Sequence, residues 1–120
     1  RLGCPFYDTA EAALSAPGVT AGILNSPTTA HLPLIELMAG LGKHIFTEKV
    51  LAATHQEALR AREAVERAGV IFAISFPHLG NPGVKAAKAI LDAGRLGQAA
   101  YARVRNVHNG AVAGWLPRIL

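Results

Sequence analysis

Three short polar stretches in the sequence carry side chains that could bind and polarise a small ligand. Asn25–Thr28 supplies an amide and two hydroxyl-bearing side chains, and Glu48–Lys49 places a carboxylate next to an ammonium. Ser75–His78 adds a hydroxyl and an imidazole. An ammonium and a carboxylate at one place can hold an anionic or polar ligand, and an imidazole can donate or accept a proton. Whether these groups act together depends on the elements that position them.

Each polar stretch follows a short apolar run that predicts a strand. The runs lack alternation, which is typical of strands buried on both faces of a parallel sheet. They are Val19–Leu24, His44–Thr47 and Val70–Ile74. Strands joined through helices are connected right-handedly and lie parallel, so their carboxyl ends share one edge, where open α/β sheets bind ligands. Helix N-termini beside that edge favour anions.

Capping residues predict the first two helices. Asp8 with Glu11 forms a capping-box pattern for a helix that runs to about Ser15. Thr28 or Thr29 is predicted to cap the second helix. Its predicted core-facing stripe, at helical spacing, is Leu34, Leu37, Met38 and Leu41, and Gly42 is predicted to end it.

Two later helices have clearer starts. Thr54 with Glu57 is a capping box, and Gly69 closes the helix that follows. Asn81 before Pro82 predicts a further helix that runs towards Gly94, because proline suits the first helical position.

The apolar pattern changes after Gly97. Apolar and polar residues then alternate from Ala100 to Arg105, which predicts a strand with one polar face. We therefore expect a domain boundary here, with residues 1–97 in a parallel α/β domain and residues 98–120 opening a second domain.

Composition excludes several protein classes. The 120 residues are 51% hydrophobic and 17% charged, which is too apolar for a disordered chain. No apolar run approaches the ~20 residues of a membrane span, and no signal peptide is evident. The net charge of +4 comes from dispersed cations, so we expect no nucleic-acid partner. The histidines lack ligand spacing, so no metal is expected. The single Cys4 favours a reducing compartment, and we expect the cytoplasm.

Several motifs in a fixed order carry a family resemblance. They are Ser26–His31, Gly42–Lys49, Asn81-Pro82, Asp92–Gly97 and Trp115. Together they resemble the Gfo/Idh/MocA oxidoreductases (glucose–fructose oxidoreductase, inositol dehydrogenase and relatives), which carry T-P-x-x-x-H, G-K-H leading to E-K-P, and D-x-G-x-x-G stretches. The resemblance runs through nearly the whole chain.

The resemblance implies an α/β fold: the C-terminal half of a Rossmann-type parallel sheet with flanking helices, followed by the first strand of an α+β substrate domain. It implies an enzyme that transfers hydride between NAD or NADP and a sugar, polyol or related substrate, and that is a homo-oligomer at full length. The cofactor-binding candidates are Ser26, Pro27, Thr28, His31, Glu48, Lys49 and His78, of which His78 is added because it follows the third strand. Lys49 is also the catalytic candidate, orienting the substrate oxygen.

Two departures from the family pattern leave an alternative open. Val50 replaces a proline whose bond can be cis in the family. A cis bond before valine costs roughly 2.5–4 kcal/mol, so we expect a different local backbone. Pro77-His78-Leu79 stands where the family often has Asn-Arg-Arg. The alternative function is a non-catalytic dinucleotide-binding sensor of the same fold.

Two family segments are not found in the sequence. One is the Gly-x-Gly-x-x-Gly loop, and the other is the aspartate–histidine segment that supplies the acid/base. We therefore expect an internal slice of a longer protein, inactive by itself, in which the edge of the first strand lacks its neighbour. The residue that distinguishes NAD from NADP would lie upstream.

Overall fold

A computed structural model describes residues 3–105, 107 and 109 of the chain. The described residues fall into two compact units that divide between Ser75 and Phe76. The domain boundary near Gly97 therefore stays a prediction, and Trp115 lies outside the described residues.

The first unit is built on a parallel sheet of three strands. They are β1 (Ala21–Leu24), β2 (His44–Thr47) and β3 (Phe72–Ile74), hydrogen-bonded in that order. The register pairs Leu24 with Thr47, and Thr47 with Ile74. The predicted Rossmann-like parallel sheet is confirmed, although β1 and β3 are each two residues shorter than their apolar runs.

Among the described residues, three α-helices belong to the first unit and two to the second. They are α1 (Ala10–Leu14), α2 (His31–Gly40) and α3 (His55–Ala68), then α4 (Pro77–Gly80) and α5 (Pro82–Asp92). A single 3-10 turn, Thr28–Ala30, leads into α2. The sequence did not predict α4.

The predicted caps hold at α3 and α5. The Thr54 hydroxyl accepts from the Glu57 amide at 3.2 Å, and the Glu57 carboxylate accepts from the Thr54 amide at 3.1 Å. Asn81 Oδ1 accepts from the amide of Gly83 at 2.8 Å, with Pro82 at the first helical position. Both helix starts therefore depend on hydrogen bonds between residues two or three positions apart, which is why the sequence predicts them.

The predicted caps of α1 and α2 are wrong. Thr9, not Asp8, caps α1, and its hydroxyl accepts from the Ala12 amide at 3.1 Å. Neither Thr28 nor Thr29 caps α2, whose N-cap Ala30 makes no side-chain bond. The reason is that the chain enters α2 through the 3-10 turn, so backbone carbonyls take the first amides.

The core lies between the sheet and α2. The buried residues of α2 are His31, Leu32, Ile35, Met38 and Ala39. The predicted stripe is fully buried only at Met38. Leu34 and Leu37 are half-buried and pack against the core, whereas Leu41 is exposed. α2 itself carries apolar side chains on all of its sides, so its sequence does not determine which side faces the sheet.

One face of the sheet is open, contrary to the prediction of strands buried on both faces. Leu24, Ile45 and Thr47 point towards the helices and are buried, whereas Ile23 on the opposite face is 77% exposed. The reason is that the core helix α2 covers the face of Leu24 and Ile45, and the described part of the first unit places nothing over Ile23. The apolar composition of a strand therefore did not predict which of its two faces is covered by other elements.

The strand predicted from Ala100 to Arg105 does not form in the described structure. Tyr101 and Val104 are both strongly exposed. Extended backbone becomes a strand only when a second strand accepts and donates its hydrogen bonds. The described residues supply no partner for this segment.

Matched isoleucine substitutions test the one-sided core. Ile35→Ala removes a side chain with 0% exposure and should lower the free energy of unfolding by about 2–5 kcal/mol. Ile23→Ala removes a side chain that already faces water, so its cost should be much smaller. Urea unfolding of the full chain measures both, and equal losses would contradict the open face.

A threonine pair tests the start of α3. Thr54→Ala removes the capping hydroxyl and should lower the free energy of unfolding by about 1 kcal/mol. Thr29→Ala, at an exposed threonine that caps no helix, is the control and should be nearly neutral. A larger loss of melting temperature for Thr29→Ala would overturn this assignment of the cap.

Candidate functional site

Backbone hydrogen bonds bring the three strand exits to one edge of the sheet. The Glu48 amide donates to the Leu24 carbonyl at 3.0 Å, and the Ser75 amide donates to the Thr47 carbonyl at 2.8 Å. These bonds extend the parallel ladder by one step beyond the strands. The loops that begin at Asn25, Glu48 and Ser75 therefore start side by side, as predicted for these three residues.

The loop after β1 presents its polar groups unequally. Asn25 and Pro27 are exposed, and Thr28 is half-buried. Ser26 turns its hydroxyl inward, where the Oγ atom is buried and finds no hydrogen-bond partner among the described residues. Asn25 and Thr28 are therefore the side chains of this loop best placed to meet a ligand.

The loop after β2 carries the charges. Lys49 is exposed, and Glu48 is half-buried with its Oε2 accepting from the Lys49 amide at 3.3 Å. The peptide bond between Lys49 and Val50 is cis. The expectation that valine changes this backbone from the cis form is therefore wrong. Thr47, fully buried, donates its hydroxyl to the Glu48 carbonyl at 3.2 Å.

His31 lies beneath both loops with only 1% of its surface exposed. Its Nε2 is 3.0 Å from the Ser26 carbonyl oxygen, and its Nδ1 is 2.9 Å from that of Val50 and 3.3 Å from that of Leu51. Sequence analysis predicted a cofactor contact here and missed this bridge. A histidine at the start of a helix was the only available signal, and it does not reveal which carbonyls the ring will meet.

The remaining candidate, His78, belongs to α4 in the second unit and is exposed. Phe76 and Pro77 belong to that unit as well. Their joint action with the first two loops, and the cofactor contact of His78, stay predictions.

The residues at this edge fit part of a dinucleotide cofactor. The Glu48 carboxylate can accept hydrogen bonds from ribose hydroxyls, and the Asn25 amide and Thr28 hydroxyl can both donate and accept. The Lys49 ammonium can hold an oxygen that gains negative charge. This set of donors and acceptors suits an amide-bearing ring with a hydroxyl-rich neighbour.

Two other kinds of site were searched for in the described residues. No three histidine, cysteine, aspartate or glutamate side chains there come together in a way that could hold a metal ion. Within the same part of the chain, none of the helices is long and apolar enough to cross a membrane.

Comparison with known proteins bears on the whole arrangement. The model of the GFO_IDH_MocA oxidoreductase family, described as an NAD-binding Rossmann fold, matches residues 1–76. This match ends well short of the full length over which the motifs suggested a resemblance. It covers the three strands and the loops that follow β1 and β2.

Individual relatives agree. The scyllo-inositol 2-dehydrogenase (NAD(+)) of Bacillus subtilis is 38% identical over 73% of this chain and 26% of its own length. An NAD-binding oxidoreductase from Klebsiella pneumoniae is 30% identical, with a TM-score of 0.71 over 76% of this chain and 24% of its own. A 3-ketoreductase from Actinomadura kijaniata, solved with TDP-benzene and NADP, is 26% identical with a TM-score of 0.65 over 72% of this chain and 27% of its own.

The chain thus spans about a quarter of the length of these relatives. By fold, by family match and by identity to its relatives, this chain belongs to the Gfo/Idh/MocA family of NAD-binding Rossmann-fold oxidoreductases.

Proposed function

We propose that this chain is part of an NAD(P)-dependent dehydrogenase or reductase that acts on a sugar, a polyol or a related alcohol or carbonyl compound. The observation that carries the proposal is the exposed Lys49 ammonium next to the Glu48 carboxylate. Both groups lie at the carboxyl edge of the parallel sheet, where open α/β sheets bind their ligands. The name of the 38% identical relative, an inositol dehydrogenase, supports a cyclic polyol as the first substrate to test.

Lys49 would act on the substrate oxygen. When bound, the nicotinamide supplies or accepts the hydride. Oxygen bonded to the reacting carbon gains negative charge during carbonyl reduction, and a fixed ammonium nearby stabilises that charge. Such preorganised charge is often worth several kcal/mol in a site from which water is excluded. The same ammonium orients the oxygen, so that the reacting carbon faces the cofactor.

Glu48, Asn25 and Thr28 would hold the nicotinamide half of the cofactor. Glu48 is held in place because the Lys49 amide donates to its carboxylate and the Leu24 carbonyl accepts from its own amide. A carboxylate fixed in this way can accept hydrogen bonds from a ribose or a carboxamide with little loss of side-chain entropy. Pro27 stiffens this loop because its ring fixes φ, and it has no amide N–H that needs a partner.

The lysine prediction is made for the full-length protein that contains this chain. Lys49→Ala should lower kcat about 100-fold or more, because one preorganised electrostatic contact to the developing charge is lost. NADH affinity should be nearly unchanged. Turnover of scyllo-inositol with NAD⁺ and titration of NADH fluorescence measure the two quantities. Lys85→Ala, at an exposed lysine of α5, is the control and should leave both unchanged.

Two results would count against this assignment. Equal turnover in wild type and Lys49→Ala would remove Lys49 from the chemistry. NADH binding without turnover of any of a panel of inositols, sugars and their keto forms would favour the non-catalytic sensor instead.

The glutamate prediction separates binding from chemistry. Glu48→Gln keeps the shape of the side chain but removes its charge, and should weaken NADH binding about 10-fold through loss of charge-assisted hydrogen bonds. Glu63→Gln, at an exposed position of α3, is the matched control. Unchanged NADH affinity in Glu48→Gln would place the cofactor away from this carboxylate.

A further inference from the structure

The side chain of His31 makes hydrogen bonds to both the loop after β1 and the loop after β2. Its two ring nitrogens contact the Ser26 carbonyl in the first loop and the Val50 carbonyl in the second. Val50 directly follows Lys49 in the chain. The ring therefore connects the loop that would face the cofactor with the backbone that carries the proposed catalytic ammonium.

In each of these contacts the ring nitrogen must be the donor. A carbonyl oxygen only accepts, so each contact needs a proton on the ring nitrogen that makes it. A neutral imidazole supplies one such donor at a time, and an imidazolium supplies both. The Leu51 carbonyl, 3.3 Å from Nδ1, shares the donor on the second-loop side.

We propose that His31 is a positioning residue, which fixes Lys49 by tying the carbonyl of Val50 to that of Ser26. This inference rests on the proposed function, since it assigns a purpose to Lys49. It differs from the cofactor contact predicted from the sequence. The ring is 1% exposed and both nitrogens already face backbone oxygens, which leaves no polar ring atom for a ligand.

The core supplies the rigidity that such a bridge requires. His31 is the first residue of α2, and Ile35 lies one turn later with 0% exposure. Because the helix is anchored in the core, the ring has a fixed origin. The hydrogen bonds of His31 therefore connect the two loops to the packed core, in addition to the backbone hydrogen bonds between the strands.

Two conservative variants separate the two contacts. His31→Asn places its amide nitrogen near the position of Nδ1 and can keep the bond to Val50. His31→Gln places its amide nitrogen near the position of Nε2 and can keep the bond to Ser26. His31→Leu removes both contacts. Amide hydrogen exchange, followed by mass spectrometry on the unliganded full-length protein, reports each loop separately and needs no substrate.

We expect opposite patterns from the two variants. In His31→Gln, residues 48–51 should exchange roughly 3- to 10-fold faster while residues 25–28 stay close to wild type, because one hydrogen bond of ordinary strength is lost. In His31→Asn, residues 25–28 should exchange faster while residues 48–51 stay close to wild type. Equal acceleration of both loops together with α3 in every variant, or no change in either loop, would overturn the proposal, and this comparison does not require His31→Leu to fold.

A double-mutant cycle then asks whether the bridge acts through Lys49. His31→Gln should lower kcat for scyllo-inositol with NAD⁺ more than it changes NADH affinity, whereas in a Lys49→Ala background it should cost little further turnover. Additive losses would refute the positioning role even if Lys49 is catalytic. No effect of Lys49→Ala would refute the proposed function instead, while the exchange pattern would still decide the bridge.

Discussion

Two backbone hydrogen bonds at the ends of the strands hold the candidate site together: the Glu48 amide to the Leu24 carbonyl and the Ser75 amide to the Thr47 carbonyl. They follow from parallel pairing, which aligns carboxyl ends that are more than twenty residues apart in sequence. Each bond fixes the first residue of a loop relative to its neighbour. The position of the Lys49 ammonium depends on this register, since a slip by one residue would turn the adjacent side chains to the opposite face.

Strand register does not determine the path of the loops beyond their first residues; buried side chains do. Backbone pairing stops at the first residue of each loop, while Lys49 and Val50 lie one and two residues further on. Beyond the strand ends, buried side chains hold the loop after β2: Thr47 donates to the Glu48 carbonyl, and His31 contacts the Val50 carbonyl. These side chains are almost fully buried, so water does not compete for their hydrogen bonds. The loops are therefore held by the same core that stabilises the sheet.

The parts of this fold that could be predicted from sequence are those determined by near neighbours in the chain. The capping box at Thr54, the proline start of α5 and the bounds of β2 are of this kind. The rotation of α2 could not be predicted, because apolar residues on all its sides allow several faces to be buried. The bridge made by His31 depends on where two distant loops come to lie, and no local pattern records that. The open face around Ile23 was missed because a strand's composition does not state which of its faces is covered.

A division between buried and exposed residues follows at the candidate site. The groups that set its geometry, His31 and Thr47, are buried, and the groups that would meet a ligand, Asn25 and Lys49, are exposed. A change at an exposed position alters the ligand contact without disturbing the ladder or the core. A change at His31 or Thr47 removes a hydrogen bond that ties the backbone of a loop to the core. The exposed groups can therefore be exchanged for others while the buried hydrogen bonds beneath them, and with them the paths of the loops, are kept.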